Sequence, residues 1–299
     1  MKVTTLGAAA GMGALLGAAW AAPPAPPSAE QLMALALPGW RDDAGGRLQT
    51  ATLPHLQGSA RGAYAGWHEG VNQVLAEPAL VLHPDADHLT LIAGLVPAAA
   101  DGKPAAAHLT PMALAAWRFE RRDGAWRLAG SQDVFALRGF SGSASVRAVA
   151  LSQRQQAVAV EYGSCFQGYC GSWLALYEVD KGMLRHQPVV ELALSGINVN
   201  GALDCARRLQ PLVKPAPRDT AIRDDGSASA GHDCYAIESA WRIDAAHDRP
   251  GDLTIRYQGA ISRAETHAAA PVAIDQRQVL RYESGRYRAV SGFKPVPPI

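Results

Sequence analysis

The sequence predicts a mainly β protein: an antiparallel sandwich or a propeller-like arrangement of about a dozen strands, preceded by one or two short N-terminal helices. Three observations support this fold class. From residue 78 onward, apolar and polar residues alternate with a period of two in short segments. Turn sequences rich in Gly, Pro and Asp separate these segments at short intervals. Convincing helical periodicity is confined to the residues before 78.

Twelve segments have the composition and alternation of strands. They cover residues 79–82, 89–92, 116–121, 126–128, 146–151, 157–162, 173–179, 189–194, 236–243, 253–258, 279–282 and 287–290. A faint repeat of an aromatic strand, a Gly turn and a second strand begins near residues 114, 174 and 280. Any aromatic hairpin with a Gly turn has this pattern, so the sandwich and the propeller both remain open.

Helical signals precede these strands. Ser28 is predicted to be the N-cap of a helix that ends near Leu37, and Gln31 completes a capping box three residues later. A weaker helical pattern runs from about Gly66 to Ala76.

The N-terminus has the pattern of an export signal. Lys2 is followed by about a dozen small and apolar residues without charge, and Ala19 and Ala21 occupy the positions that signal peptidase reads. This stretch is shorter than the roughly 20 apolar residues of a membrane span. We therefore expect a signal peptide at 1–21, a Pro-rich spacer at 22–27 and a β-rich globular region at 28–299, with a subdomain boundary considered within 206–233. The expected location is periplasmic or secreted, with no membrane span after cleavage.

The charge balance disfavours two classes of partner. Without Lys2, 27 basic residues face 27 acidic ones. A neutral chain has no overall field that would attract it to nucleic acid or to an anionic membrane. No nucleotide-binding motif is present, and no cofactor is expected.

The four cysteines, Cys165, Cys170, Cys205 and Cys234, are expected to form two disulfides. An even number of cysteines in an exported chain is typical of disulfide bonding. Their spacing lacks the paired C-x2-4-C units of a zinc site. Spacing cannot fix the connectivity, but nearest-neighbour pairing is favoured because Cys165 and Cys170 lie between two apolar runs and would face each other across a hairpin.

The most distinctive candidate site is the loop between Cys165 and Cys170. A bridge there would hold Phe166, Gln167 and Tyr169 at the end of a rigid hairpin, and a rigid loop loses little entropy on binding. In the alternative interpretation, the two aromatic rings fold back against Trp173 or Tyr162, and the bridge only stabilises the hairpin.

Other chemistry-bearing patterns are less specific. His83, Asp85, Asp87 and His88 form the densest cluster of metal-ligating residue types, but a Pro-Asp turn explains the carboxylates and no metal is expected. Residues 139–143 resemble the nucleophile elbow G-x-S-x-G, with Ser in place of the last Gly and no helix following.

The carboxylates on strands offer no catalytic pair that the sequence can locate. Glu161, Glu178 and Glu191 fall at positions that the alternation assigns to solvent. A pair of carboxylates that hydrolyses glycosidic bonds is defined by its separation in space.

Three functions are therefore considered. The first is a non-enzymatic binding or scaffold protein whose partner is an unknown envelope protein or glycan. The second is a secreted hydrolase acting on envelope glycan or peptide, for which His83, Asp85, Asp87 and His88 are the first residues to inspect. The third is a protein inhibitor that uses the disulfide-closed loop.

Overall fold

The computed structural model describes residues 25–53, 66–68, 70–199, 205–209, 212, 233–263 and 270–297. The predicted signal peptide, half of the spacer and most of the segment 206–233 lie outside these residues. Among the described residues, no helix has both the length and the apolar character needed to cross a bilayer.

The described chain is mainly β, with fourteen antiparallel strands in two sheets, and the arrangement is sandwich-like. The predicted fold class is therefore confirmed, in the sandwich rather than the propeller form. The first sheet has the order β1-β2-β3-β4-β5, and its strands are β1 Leu48–Leu53, β2 Gly70–Leu82, β3 His88–Pro97, β4 Met112–Arg122 and β5 Ala125–Arg138.

The second sheet has the order β14-β13-β12-β11-β10-β8-β7-β6, with the short strand β9 pairing with β8 beside this path. Its strands are β6 Ser145–Ala150, β7 Gln156–Phe166, β8 Tyr169–Asp180, β9 Met183–Leu184, β10 Val190–Ile197, β11 Cys234–Ile243, β12 Leu253–Ser262, β13 Val272–Glu283 and β14 Arg286–Ser291. Each of the twelve predicted segments falls on one of the fourteen strands; β1 and β9 were not predicted.

In the described residues two helices accompany the sheets, α1 Ala29–Ala36 and α2 Cys205–Leu209. The capping box of α1 forms as predicted: the Gln31 backbone N–H donates to Ser28 Oγ, and the Ser28 backbone N–H donates to Gln31 Oε1. The second predicted N-terminal helix is wrong, because strand β2 begins at Gly70. Pairing of β2 with both β1 and β3 decides this segment, and such pairing is invisible to local periodicity.

Apolar side chains pack in three layers. Alternate residues of β3, such as Leu89 and Leu91, face α1 on the outer side of the first sheet, while Ile92 faces the second sheet. Ala175 and Tyr177 of β8 meet this inner layer, and Leu174 and Leu176 point to a third layer on the far side of the second sheet. Strands buried on both faces have continuous apolar runs, which explains why alternation weakens in β3 and β8.

One predicted surface position is buried. The Glu178 side chain is 6% exposed, and its carboxylate accepts a hydrogen bond from the Tyr282 hydroxyl at 2.7 Å. The expectation that alternation places Glu178 in solvent is therefore wrong. Glu178 lies on the same face of β8 as Leu174 and Leu176, and the β13–β14 hairpin covers that face.

The aromatic hairpins of the faint repeat share one turn geometry. Asp123-Gly124, Lys181-Gly182 and Ser284-Gly285 each have positive φ at both residues. This conformation is the type I′ turn, whose twist matches that of the flanking strands. A common turn therefore explains the resemblance among these segments.

Candidate functional site

The structure has the nearest-neighbour disulfide pairing. Cys165 and Cys170 are joined with an S–S distance of 2.12 Å, and Cys205 and Cys234 with one of 1.94 Å. Cys165 and Cys170 are also direct cross-strand partners in the β7–β8 ladder. The first bridge therefore closes the end of a regular hairpin, and the second ties α2 to the start of β11.

The tip of the β7–β8 hairpin is a two-residue turn. Gln167 and Gly168 have φ values of 50° and 83°, the left-handed conformations of a type I′ turn. Phe166 and Tyr169 are paired across the turn, so their side chains leave the same face of the hairpin. Phe166 is 61% exposed and Tyr169 is 37% exposed. The turn and the bridge thus hold two exposed aromatic residues side by side.

Phe166 is the outer end of a series of neighbouring rings that we call the aromatic row: Phe166, His108, Phe140, Trp173 and Tyr162. Ring centroids are 5.4 Å apart for Phe166–His108 and 6.1 Å for His108–Phe140. They are 5.7 Å apart for both Phe140–Trp173 and Tyr162–Trp173. The contact between Tyr162 and Trp173 is expected, because the two residues are cross-strand partners in the β7–β8 ladder.

In the alternative interpretation of the hairpin, the Phe166 ring folds back onto Trp173 or Tyr162. Its ring contacts His108 instead, a residue 58 positions earlier in the loop between β3 and β4. The other four members of the row are half-buried. Sequence reasoning missed His108 and Phe140, because no local pattern links these two loop residues to the hairpin.

Two loops hold His108 and Phe140 in place through backbone hydrogen bonds. The Ser141 N–H donates to the His108 carbonyl at 3.0 Å, and the Gly142 N–H donates to the Thr110 carbonyl at 2.8 Å. Ser141 and Gly142 again have positive φ. A Cβ on Gly142 would lie 2.9 Å from the Val96 side chain, so glycine is required for this close approach. Residues 139–143 form a tight turn, and this turn accounts for their glycines without a nucleophile elbow.

The inner end of the row is polar. The Tyr162 hydroxyl donates to Glu191 Oε1 at 2.8 Å, and Arg138 Nη2 donates to Glu191 Oε2 at 2.8 Å. Burial, together with the Glu191 charge, raises the pKa of Tyr162 well above its usual value. The hydroxyl is therefore a neutral donor at ordinary pH, and the surface changes from apolar at Phe166 to charged at Glu191.

His108 also contacts a potential nucleophile. Ser164 Oγ lies 3.0 Å from His108 Nε2, the distance of a nucleophile from its general base. Among the described residues, no carboxylate hydrogen-bonds to His108 to complete a triad. The contact orients the imidazole ring between Phe166 and Phe140.

The cluster of His83, Asp85, Asp87 and His88 lies at the β2–β3 turn. His88 Nδ1 is 2.8 Å from Asp85 Oδ1, and Arg121 Nη2 is 2.7 Å from Asp87 Oδ1. The Asp87 backbone N–H and the His88 ring lower the pKa of Asp85. In the described part of the chain, no three His, Cys, Asp or Glu side chains are grouped so that they could hold a metal ion.

This turn is distant from the hairpin. His88 begins β3, and the loop that carries His108 follows the other end of the same ten-residue strand. A strand of that length spans roughly 30 Å. The structure therefore separates the two sets of candidate residues and brings the aromatic row together at one end of the sandwich.

Comparison with known proteins adds no relative: no family model, curated protein or solved structure matches the chain.

Proposed function

We propose that this is an exported, non-enzymatic binding protein that recognises an envelope protein through the tip of the β7–β8 hairpin. One observation carries the proposal: the Cys165–Cys170 bridge and a type I′ turn hold Phe166 and Tyr169 exposed and side by side. The predicted signal peptide and the two disulfides support export, since disulfides persist in oxidising compartments.

The chemistry of the tip favours a protein partner. The cross-strand partners Phe166 and Tyr169 are 61% and 37% exposed. Large exposed apolar side chains that lie together are typical of interaction sites, and aromatic residues are enriched at the centres of protein interfaces. The pre-formed turn reduces the entropy lost on association.

The test begins with identification and ends with a measured affinity. A photo-crosslinking amino acid at position 167 is used to capture neighbours in living cells, and a captured protein is then purified and titrated against the intact, oxidised chain. Truncating a central aromatic residue of an interface commonly costs at least 2 kcal/mol, or about thirtyfold in Kd. We expect Phe166→Ala and Tyr169→Ala together to weaken binding by at least this factor.

A matched control separates recognition from general surface hydrophobicity. Phe293 is the same residue type, is 58% exposed and lies after β14, outside the aromatic row. Phe293→Ala should leave the affinity unchanged. Equal weakening by both sets of substitutions, or none by the hairpin pair, contradicts the proposal. Retention on purified peptidoglycan that the hairpin substitutions abolish would replace a protein partner with a glycan.

A further inference from the structure

A cavity of about 230 Å³ lies on the α1 side of the first sheet, facing away from the second sheet. The edge strands β1 and β5 approach each other without pairing, and we call the gap between them the seam. The end of α1 also lines the cavity. The cavity opens at this seam. It is separate from the aromatic row, which belongs to the β7–β8 hairpin and the loops beside it.

The inner wall of the cavity is apolar. Val74, Leu95, Ala115 and Trp117 form it from three neighbouring strands, and each is at most 8% exposed. Ala36 of α1 closes one side. Because Ala36 and Ala115 are small, their positions leave space that larger side chains would fill.

The mouth of the cavity is polar and carries a negative charge. Gln49 of β1, on the same face as Val74, and Ser131 and Asp133 of β5 line the cavity at the seam. Among the described residues that line the cavity, Asp133 alone is charged. A ligand that places an ammonium group or another hydrogen-bond donor at the mouth is complementary to this arrangement, whereas an anionic head group is repelled.

The volume limits the apolar part of the ligand. A cavity of roughly 150 Å³ lined by aliphatic and aromatic side chains stays dry and binds benzene. The cavity in this protein is larger and, unlike that one, opens to solvent. It therefore accommodates one aromatic ring with a short substituent, or an alkyl chain of similar volume.

We propose that this cavity binds small amines with an aromatic or short aliphatic body, the body lying against Ala115 and Trp117 and the ammonium group at Asp133. Head-group selectivity comes from one partly solvated ion pair. Such a pair contributes little in water, so the preference for an amine over the matching alcohol is up to about fivefold.

Three probes that share a benzyl group and differ in the polar group attached to it test the inference on the intact, oxidised chain by isothermal titration calorimetry: 2-phenylethylamine, 2-phenylethanol and phenylacetate. We expect saturable binding of the amine, weaker binding of the alcohol and the weakest binding of the acid. Asp133→Asn should remove the preference for the amine over the alcohol, while Asp180→Asn, which changes an exposed carboxylate on the second sheet, should preserve it.

Two substitutions that fill the cavity from different elements locate the site. Ala115→Leu acts from β4 and Ala36→Leu from α1, and either one, in a variant that keeps the circular dichroism spectrum of the parent, should abolish binding. Absence of saturable amine binding at millimolar concentration overturns the proposal, as does binding that persists in both filled variants. Equal affinities of the amine and the acid would equally overturn it. Asp133→Asn keeps the test decisive if neither filled variant folds.

Discussion

The buried carboxylate of Glu178 gives the sharpest prediction about stability. It accepts the Tyr282 hydroxyl at 2.7 Å, and Gln155 Nε2 and Arg185 Nη1 each lie 3.3 Å from one of its oxygens. These contacts join β8 to the β13–β14 hairpin and to two turns. Glu178→Ala would leave the half-buried Tyr282 hydroxyl without its charged acceptor.

The magnitude follows from the burial of each partner. A hydrogen bond to a charged group contributes about 1.5–3 kcal/mol. Arg185 is 46% exposed and becomes hydrated when its partner is removed, so its ion pair contributes at most about 1 kcal/mol. We therefore expect Glu178→Ala to lower the free energy of unfolding by about 3 kcal/mol, most of it from the lost Tyr282 contact.

The assay is a double-mutant cycle of Glu178→Gln and Tyr282→Phe, followed by urea denaturation under non-reducing conditions. The expected coupling energy is about 1.5 kcal/mol. The matched control is Glu191→Gln with Tyr162→Phe, which removes a hydrogen bond of similar length, 2.8 Å, to a carboxylate that is 42% exposed. Its coupling should be smaller. Coupling below about 0.5 kcal/mol at Glu178, the range of simple additivity, would refute the reasoning.

Three further predictions concern the disulfides, the turns and alkaline pH. Replacing both cysteines of the Cys205–Cys234 bridge, which closes a loop with a separation of 29 residues, should cost about 3.5 kcal/mol of unfolding free energy by denaturation. Gly259→Ala should lower the free energy of unfolding by at least about 3 kcal/mol, because a Cβ there would lie 1.9 Å from the Ala236 carbonyl oxygen. A Cβ at Gly124 meets no atom within 4 Å, so Gly124→Ala should lower it by only about 1 kcal/mol in the same assay. Burial raises the pKa of Tyr257 from 10.0 to about 12, so the folded state holds its proton more tightly than the unfolded state. The resulting stability is present below pH 10 and is lost as the pH rises towards 12. Over that interval, the denaturation midpoint of Tyr257→Phe should depend less on pH than that of the parent protein. An equal pH dependence in the two proteins would contradict the raised pKa of Tyr257.

The sequence by itself determined the local features. Alternation located twelve of the fourteen strands, because a strand exposed on one face leaves a period of two in its residues. Ser28 and Gln31 determined the start of α1 through a capping interaction that spans three residues. The short spacing of Cys165 and Cys170 indicated a hairpin with Phe166 and Tyr169 at its end, and the structure has that hairpin.

Tertiary structure alone decided the features that depend on distant residues. The segment from Gly70 to Ala76 is a strand because β1 and β3 supply its hydrogen-bond partners, and Glu178 is buried because Tyr282, 104 residues later, packs over it. The aromatic row has the same origin, since His108 lies 56 residues from Ser164 in the sequence and 3.0 Å from it in space. Periodicity and spacing report only on neighbours along the chain, whereas packing between sheets determines which faces are buried and which side chains meet.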